Sequence, residues 1–425
     1  MSHLNGAGGW SATGTCPNCG GEVDTEVGDQ LLECGFCKSS IYVLPEGPLS
    51  YRMPADKEYL SERIFHLPYW RLRGVRFKVN RENFKVEGGL VDLTAPACEH
   101  INSAANLGVR PQACTLHLTS WPPDTPAATL AHSRIADESG VDRLYNEEGD
   151  ILISRLIGEE RVIIHAPFFL KEEGSKHLLM EAFPGGRAHS LSVEEVERLK
   201  GAIAEAPKSK ELSFLALDCP NCGHALPPEH NAKVLLCEHC HRAFWPRGNA
   251  FARMPYAILG EIAESSRLFP FWHIDVEDEK LGIRSRADLL RWCAPYKVPR
   301  PEWEKEAAGF LIPAFKVNAR IFLRLAKTAT IFFAEEEHRV TPGRGRLLSE
   351  PVRLPLKEAM EAIQVALCEM TTDKERRVPK IAGAELRGVR ARLIFIPFEP
   401  RAREYLHKES GQSIDRRALE VGATL

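Results

Sequence analysis

Two stretches of the sequence decide the fold: Cys16-Pro-Asn-Cys-Gly20 with Cys34-Gly-Phe-Cys37, and Cys219-Pro-Asn-Cys-Gly223 with Cys237-Glu-His-Cys240. Both have the spacing Cys-x2-Cys-x14-Cys-x2-Cys. Two residues between cysteines form a tight knuckle that directs both thiolates toward one point, and a 14-residue spacer is long enough for a hairpin that brings the knuckles together. Four sulfurs placed in this way surround one Zn2+ tetrahedrally. The sequence therefore predicts two structural Zn2+ ions per chain, with the ligands Cys16, Cys19, Cys34, Cys37, Cys219, Cys222, Cys237 and Cys240.

The cysteine motifs belong to a longer internal repeat. All four cysteines of the first set recur 203 positions later. Three further segments match in the same order, namely Arg52-Met-Pro54 with Arg253-Met-Pro255, Leu67-Pro-Tyr-Trp70 with Phe269-Pro-Phe-Trp272, and Ile164-His-Ala-Pro-Phe-Phe169 with Phe395-Ile-Pro-Phe398. A collinear series of this kind indicates an internal duplication, and the larger offset of the last pair indicates extra residues in the second half.

A unit of about 25 residues cannot bury an adequate core, so metal binding must contribute much of the folding energy of each four-cysteine segment. Cys-Pro-x-Cys-Gly, a hairpin and an apolar residue before the second Cys-x-x-Cys resemble the zinc-ribbon superfamily, the four-cysteine zinc-β-ribbons, over residues 14–43 and 217–246. The resemblance implies metal binding without a single function, because such ribbons occur in transcription factors, ribosomal proteins, nucleic-acid enzymes and protein-interaction modules.

Other cysteine chemistries fit the pattern less well. A rubredoxin-like iron site uses the same ligands, but there the spacer is longer and the Cys-Pro-x-Cys-Gly knuckle comes second. Thioredoxin-type redox chemistry needs a single pair that opens a helix. A catalytic zinc site needs an open coordination position, and a set of four thiolates is closed.

Other cysteines and histidines receive no predicted role. The remaining cysteines have no paired spacing and are typical of small buried hydrophobic residues; they are Cys98, Cys114, Cys293 and Cys368. Histidines crowd the second ribbon and could join its ligand set; they are His224, His230, His239 and His241. Because the first ribbon has no counterpart to any of these histidines, we expect them to be surface residues.

The repeat also predicts the domain organisation. A capping-box pattern at Ser192 begins a helix that ends before Pro207, and residues 208–211 have the composition of an exposed linker. The predicted segments are a flexible N-terminus 1–13, zinc ribbon 14–43, β-rich domain 44–206, linker 207–211, second zinc ribbon 212–246, and β-rich domain 247–425 with a helical insertion near 274–310.

The pattern downstream of each ribbon is typical of strands, as in residues 70–79, 161–164 and 391–396. Proline followed by an aromatic residue recurs in these segments, which predicts sheet edges, strand starts or bulges. The clearest helix is the apolar stripe of residues 356–370, and a shorter one begins at Ser285. The predicted fold class is α+β: an internal duplication whose halves each contain a four-cysteine zinc ribbon and a mostly antiparallel β domain with a few helices.

Charge and hydropathy limit the possible partners and the possible location of the protein. The net charge is −3, but the first 218 residues hold more acidic than basic side chains, and the rest of the chain holds more basic ones. Such asymmetry suits attraction between the halves or binding of an anionic partner. The sequence contains no run of 18 apolar residues, the length that a membrane-spanning helix needs. The N-terminus lacks the pattern of a signal peptide. We therefore expect a cytoplasmic protein.

No motif of an established catalytic site is present. The leading expectation is a zinc-binding, non-enzymatic scaffold or adaptor that mediates protein–protein interaction or complex assembly. A nucleic-acid-binding protein is the first alternative, with basic contacts from Arg387, Arg390, Arg392, Arg401, Arg403, Lys408, Arg416 and Arg417. The pI near 6.6 argues against it, since nucleic-acid-binding domains commonly exceed about 9. An enzyme of unrecognised type is the second alternative.

Overall fold

A computed structural model describes residues 10–44, 47–98, 106–120, 126–128, 149–204, 212–229, 231–263, 265–333 and 348–423. The chain is of mixed α and β structure, with strands predominating. It divides into two compact units, the first formed by Met1–Arg73, Val91–Tyr145 and Glu159–Leu217, the second by Gly74–Leu90, Asn146–Gly158 and Asp218–Leu425. Within the described ranges, no helix combines the length and apolarity needed to cross a membrane.

The strands that the structure describes between residues 10 and 217 form two sheets. In chain order they are β1 Ser11–Thr15, β2 Glu22–Glu26, β3 Leu31–Glu33, β4 Ser40–Leu44, β5 Leu49–Arg52, β6 Phe65–Asn80, β7 Val86–Pro96, β8 Leu116–Thr119, β9 Ala127–Ala128, β10 Ile151–Glu173, β11 Lys176–Glu181, β12 Ala188–Leu191, β13 Ile203–Ala204 and β14 Ser213–Ala216. The larger sheet has the order β13-β9-β6-β10-β5-β8-β1-β2, with β7 beside β6 and β11 between β10 and β12. The smaller has the order β14-β4-β3. Helix α1, Val193–Ala202, follows β12.

The rest of the chain adds two sheets and five helices to the described structure. The strands are β15 Leu235–Leu236, β16 Ala243–Arg247, β17 Ala250–Met254, β18 Tyr256–Ile258, β19 Arg267–Glu277, β20 Ala308–Pro313, β21 Arg387–Pro400, β22 Glu404–His407 and β23 Gln412–Asp415. The helices are α2 Arg286–Cys293, α3 Ala319–Phe332, α4 Leu356–Met370, α5 Lys374–Ala382 and α6 Arg416–Ala423. Sheet orders are β15-β16-β17 and β20-β19-β21-β22-β23, with β18 beside β21.

Helix starts follow the sequence signals. Ser192 caps α1 and Ser285 caps α2, and in each case the residue three positions later, Glu195 or Asp288, returns the hydrogen bond to form a capping box. The apolar stripe of residues 356–370 forms α4, whose inward face is buried. These three helices are confirmed, because their signals lie within the helix itself.

Prolines of the Pro-aromatic pairs lie inside long central strands, neither at sheet edges nor at strand starts, so these two parts of the expectation are wrong. Pro270, for example, lies within β19, which is paired on both sides. Pro270 cannot donate to the carbonyl of Ala314 opposite it. That carbonyl instead accepts from the backbone amides of Arg353 at 2.8 Å and Leu354 at 3.0 Å. A neighbouring segment therefore supplies the hydrogen bonds that proline removes.

The compact units divide the chain differently from the predicted domains. Strands β6 and β10 are 16 and 23 residues long; one end of each belongs to the first unit and the other end to the second. Within the second unit, Phe77 of β6 contacts Phe322 of α3 at a ring-centroid distance of 5.6 Å, and Val75 and Ile157 enter the same core. The segments 74–90 and 149–158 thus pack with the second unit, and the predicted domain bounds remain predictions.

The two Arg-Met-Pro segments occupy different elements. Arg52 ends β5, which pairs in parallel with β10, whereas Arg253 lies in β17, which pairs with β16. The strand whose pairing matches that of β5 is β18, which is parallel to β21. The two Arg-Met-Pro sequences therefore match in sequence but occupy different positions in the fold.

A buried carboxylate in the first unit accepts hydrogen bonds from several residues. Glu181 is 1% exposed and accepts from both terminal nitrogens of Arg110 and from the Arg187 amide at 2.9 Å. His189 Nε2 lies 3.0 Å from its other oxygen. Burial raises the pKa of Glu181, but the hydrogen bonds from Arg110 and His189 outweigh it and lower the pKa below its ordinary value.

Glu181→Ala is expected to lower the free energy of unfolding of the first unit by about 3–5 kcal/mol, because it removes the fully buried carboxylate that pairs with the half-buried Arg110 charge. Urea unfolding at neutral pH measures the change. Glu173→Ala is the matched control, since Glu173 pairs with Lys171 and both side chains are half-exposed. Its change should be much smaller; equal effects of the two substitutions would contradict the role given to Glu181.

Candidate metal centres

The first four-cysteine centre is built by two knuckles and the hairpins around them. Cys16 follows β1, and its amide donates to the Gly21 carbonyl at 2.8 Å while its carbonyl accepts from Gly20 at 2.9 Å. Cys34 follows β3 and makes the same pair of bonds with Ser39 and Lys38, at 2.9 Å each. Each knuckle therefore turns the chain back within five residues and brings its two sulfurs to one side.

The second centre repeats this geometry. Cys219 bonds His224 at 2.8 Å and Gly223 at 2.9 Å, and Cys237 bonds Arg242 and His241 at 2.9 Å each. The turn residue after the first knuckle has positive φ in both centres, +75° at Gly20 and +73° at Gly223. Glycine adopts this conformation without steric cost, which explains the Gly that follows both Cys-Pro-Asn-Cys motifs.

Sulfur positions in both centres suit a tetrahedral ion. In the first, Cys16 Sγ lies 3.7 Å from Cys37 Sγ, and Cys19 Sγ lies 3.6 Å from Cys34 Sγ. In the second, the corresponding pairs are each 3.6 Å apart. All four sulfurs of a set lie within 4.8 Å of one another. A regular tetrahedron with Zn–S bonds of about 2.3 Å has edges of about 3.8 Å, so the residues fit one zinc ion per set.

Each centre is half enclosed. The first cysteine of each knuckle is buried, with exposures of 1% at Cys16 and Cys34, 2% at Cys219 and 0% at Cys237. The second cysteine of each knuckle is half-buried or exposed. Cys16 and Cys34 belong to the core of the first unit. Removal of a metal ion would therefore leave unpaired sulfurs against that core as well as at the surface.

Polar neighbours stabilise the thiolate of Cys37. The Ser39 hydroxyl lies 3.2 Å from its sulfur, and the Asn18 side-chain amide donates to the sulfur at 3.6 Å and to the Ser39 hydroxyl at 3.0 Å. Hydrogen bonds from Ser39 and Asn18 lower the pKa of Cys37 to about 5. Asn18 and its repeat counterpart Asn221 were not predicted as functional, although their identical place in both Cys-Pro-Asn-Cys motifs was the available signal.

The second centre replaces this arrangement with arginine. Arg242 stands where the first ribbon has Ser39, and its guanidinium donates to the Asn221 side-chain oxygen. Burial raises the pKa of Cys240, but the Arg242 amide and the neighbouring sulfurs outweigh it and bring the pKa to about 7. Both centres thus contain a thiolate-stabilising contact beside the last cysteine of the set.

Histidines near the second ribbon lie outside its ligand set. His224 and His239 stack on each other, with ring centroids 3.6 Å apart, and both are exposed. In the first ribbon the exposed ring of Phe36 lies over Gly21 in the same way. Among the described residues, the group that could hold an ion at the second ribbon consists of the four cysteines. His230 lies outside the described residues.

The four remaining cysteines have the surroundings of packing residues. Cys98, Cys293 and Cys368 are buried and Cys114 is half-buried. Burial raises the pKa of Cys293 and Cys368 to about 12 and that of Cys114 to about 11. Thiols of this kind are protonated at neutral pH and chemically inert.

No protein-family model, curated protein or solved structure matches the chain significantly. The functional interpretation therefore depends on the geometry of the two cysteine centres and on the surfaces around them.

Proposed function

We propose that each four-cysteine set binds one structural Zn2+ ion, as in the zinc-ribbon superfamily. The support is the agreement between the sulfur separations of 3.6–3.7 Å and the edge of a zinc–thiolate tetrahedron. The thiolates occupy all four positions, so the ion would supply folding energy to a short β-ribbon rather than activate a substrate.

We further propose that the two halves arose by duplication. The matched hydrogen bonds of the two centres support this, as does the parallel pairing of β5 with β10 and of β18 with β21. In both pairs the residue after the first strand continues the ladder: the Met53 amide donates to His165, and the Leu259 amide donates to Phe395, each at 2.9 Å.

The function that these features support best is that of a non-enzymatic scaffold or adaptor. The observation that carries it is the pair of closed four-sulfur centres, each at the start of one half of the chain. Closed centres stabilise a surface and leave no coordination position for chemistry. Affinity purification of the full chain from its native host, followed by identification of bound proteins and nucleic acids, tests the proposal. Recovery of nucleic acid without a protein partner would contradict it.

The basic residues of the second unit favour the scaffold role over nucleic-acid binding. Several already have acidic partners: Arg387 pairs with Glu277 at 3.1 Å, and Glu399 pairs with Arg401 at 3.4 Å and with Lys408 at 2.5 Å. A phosphate contact would have to compete with these carboxylates, whereas nucleic-acid-binding surfaces usually present uncompensated charge.

The double substitution Arg401→Glu and Arg403→Glu is expected to leave nucleic-acid affinity negligible, as in the unmodified chain at physiological salt. If phosphates were bound, affinity would fall steeply with salt, because each neutralised phosphate releases counterions. Fluorescence anisotropy with labelled single- and double-stranded DNA and RNA measures this. Arg63→Glu, at an exposed position of the first unit, is the control. Sub-micromolar, salt-sensitive binding that only the double substitution abolishes would show that the alternative function is correct.

A further inference from the structure

In the described part of the chain, strand β14 lies at the edge of the first ribbon's sheet. It pairs antiparallel with β4, with Ser213 opposite Leu44 and Leu215 opposite Tyr42, and the Leu217 amide extends this ladder to the Ser40 carbonyl at 3.0 Å. Backbone groups alternate along an antiparallel strand, so the amides and carbonyls of Phe214 and Ala216 point away from β4. Among the described residues, no other strand pairs with that outer side.

Strand β14 has no charged residue, proline or bulge to protect its edge. Natural edge strands carry charges, prolines or bulges that prevent further pairing. Strand β2, at the end of the larger sheet, carries Glu22, Asp24 and Glu26. The sequence of β14 is Ser-Phe-Leu-Ala, with neither charge nor proline. Ala216 is exposed and the other three residues are half-buried, so the strand lies at the surface.

We propose that β14 is a docking edge that takes up an extended peptide segment of a protein partner as the fourth strand of the β14-β4-β3 sheet. The length of the edge indicates this occupant. Four residues span about 13 Å and offer the backbone groups of Phe214 and Ala216. A stable dimer needs about 800 Å² per partner, more than so short an edge supplies. A linear peptide, in contrast, obtains its affinity from main-chain hydrogen bonds.

The side chains around β14 define the chemistry of the peptide. Phe214 lies opposite the buried Val43 on one face of the sheet, and Leu215 lies opposite the buried Tyr42 on the other. Because both faces are apolar beside the edge, the added strand should carry uncharged, β-branched or aromatic residues on both sides. A strongly acidic or basic segment would lose solvation without gaining a counter-charge. This inference rests on the proposed scaffold role and names the class of partner for it.

The test uses nine-residue peptides selected by phage display on the full-length, zinc-loaded protein, with affinities measured by fluorescence anisotropy. Ala216→Pro removes one outward amide while leaving the ladder to β4 intact, and edge strands tolerate proline at such positions. We expect it to weaken peptide binding at least tenfold with zinc content unchanged. The matched control, Ala216→Ser, retains the amide and should bind within about twofold of the unmodified chain.

Hydrogen exchange gives a second readout that needs no substitution. On peptide binding, the amides of Phe214 and Ala216 should gain protection, whereas the amide of Leu215 is protected beforehand by β4. Failure to select any peptide, or selected peptides that bind Ala216→Pro undiminished without protecting these amides, would overturn the proposal. Concentration-dependent dimerisation that Ala216→Pro abolishes would assign the edge to a second copy instead. A co-purifying partner retained by Ala216→Pro would preserve the scaffold role but refute this docking edge.

Discussion

Cys16→Ser is expected to lower the zinc content from two ions per chain to one and to unfold the first ribbon. Structural zinc binding contributes about 10–16 kcal/mol in zinc-finger peptides, which is as large as the total stability of about 5–15 kcal/mol typical of a domain. Because Cys16 is 1% exposed and part of the first core, the substitution also buries a hydroxyl. Elemental analysis gives the metal content, and limited proteolysis followed by mass spectrometry locates the unfolded segment.

The second ribbon provides the matched comparison. Its ligands are separate from those of the first, so Cys16→Ser should leave zinc at Cys219 and its partners, and Cys219→Ser should do the reverse. Cys293→Ser, which changes a buried cysteine outside both sets, should retain two ions. The zinc assignment would be refuted by iron in the unmodified protein, or by one metal ion or fewer in protein that is otherwise intact.

Local features of the molecule could be predicted from the sequence. Knuckles and capping boxes are formed by residues at most a few positions apart. Their geometry therefore follows from the sequence spacing, as for Cys16 with Cys19 or Ser285 with Asp288. The clustering of four sulfurs required only a hairpin between two knuckles. For the same reason, Asn18 could have been recognised from its repetition at Asn221.

Long-range pairings could not be predicted. The sequence placed residues 212–217 at the start of the second ribbon, whereas Ser213–Ala216 pairs with β4 of the first. An apolar strand of four residues fits any open edge, and its partner is chosen by tertiary packing. The extension of β6 and β10 into the second unit is similar: alternation of apolar and polar residues identifies a strand but not the core that its end enters.

The largest pH effect is expected from two buried histidines of the first unit. His66 is 7% exposed and His165 is 0% exposed; His165 Nε2 lies 2.9 Å from the Ser50 hydroxyl. Burial, with the nearby Arg52 charge, lowers the pKa of His66 to about 4. Burial and the nearby His66 lower the pKa of His165 to about 3. Both rings are therefore neutral in the folded protein at pH values where an unfolded chain protonates them, near pH 6.5.

The first unit should consequently lose stability as the pH falls from about 6.5 toward 4. Each histidine contributes up to about 1.4 kcal/mol per pH unit, because the unfolded state binds a proton that the folded state excludes. Together they should remove on the order of 5 kcal/mol by pH 4.5, whereas above about pH 8 they add almost no pH dependence to the free energy of unfolding. Urea unfolding between pH 8 and pH 4.5, with zinc content checked at each pH, measures the effect.

Substitution separates this effect from acid release of zinc. His165→Asn removes one titrating group and should reduce the mean slope of the free energy of unfolding between pH 6.5 and 5 by about 1 kcal/mol per pH unit, while zinc release remains common to both proteins. Ser50→Ala removes the hydrogen bond to His165 but leaves the ring buried, so it should lower stability at every pH and preserve the slope. An equal slope in His165→Asn and the unmodified chain would mean that His165 is protonated in the folded protein, contrary to the burial that holds it neutral.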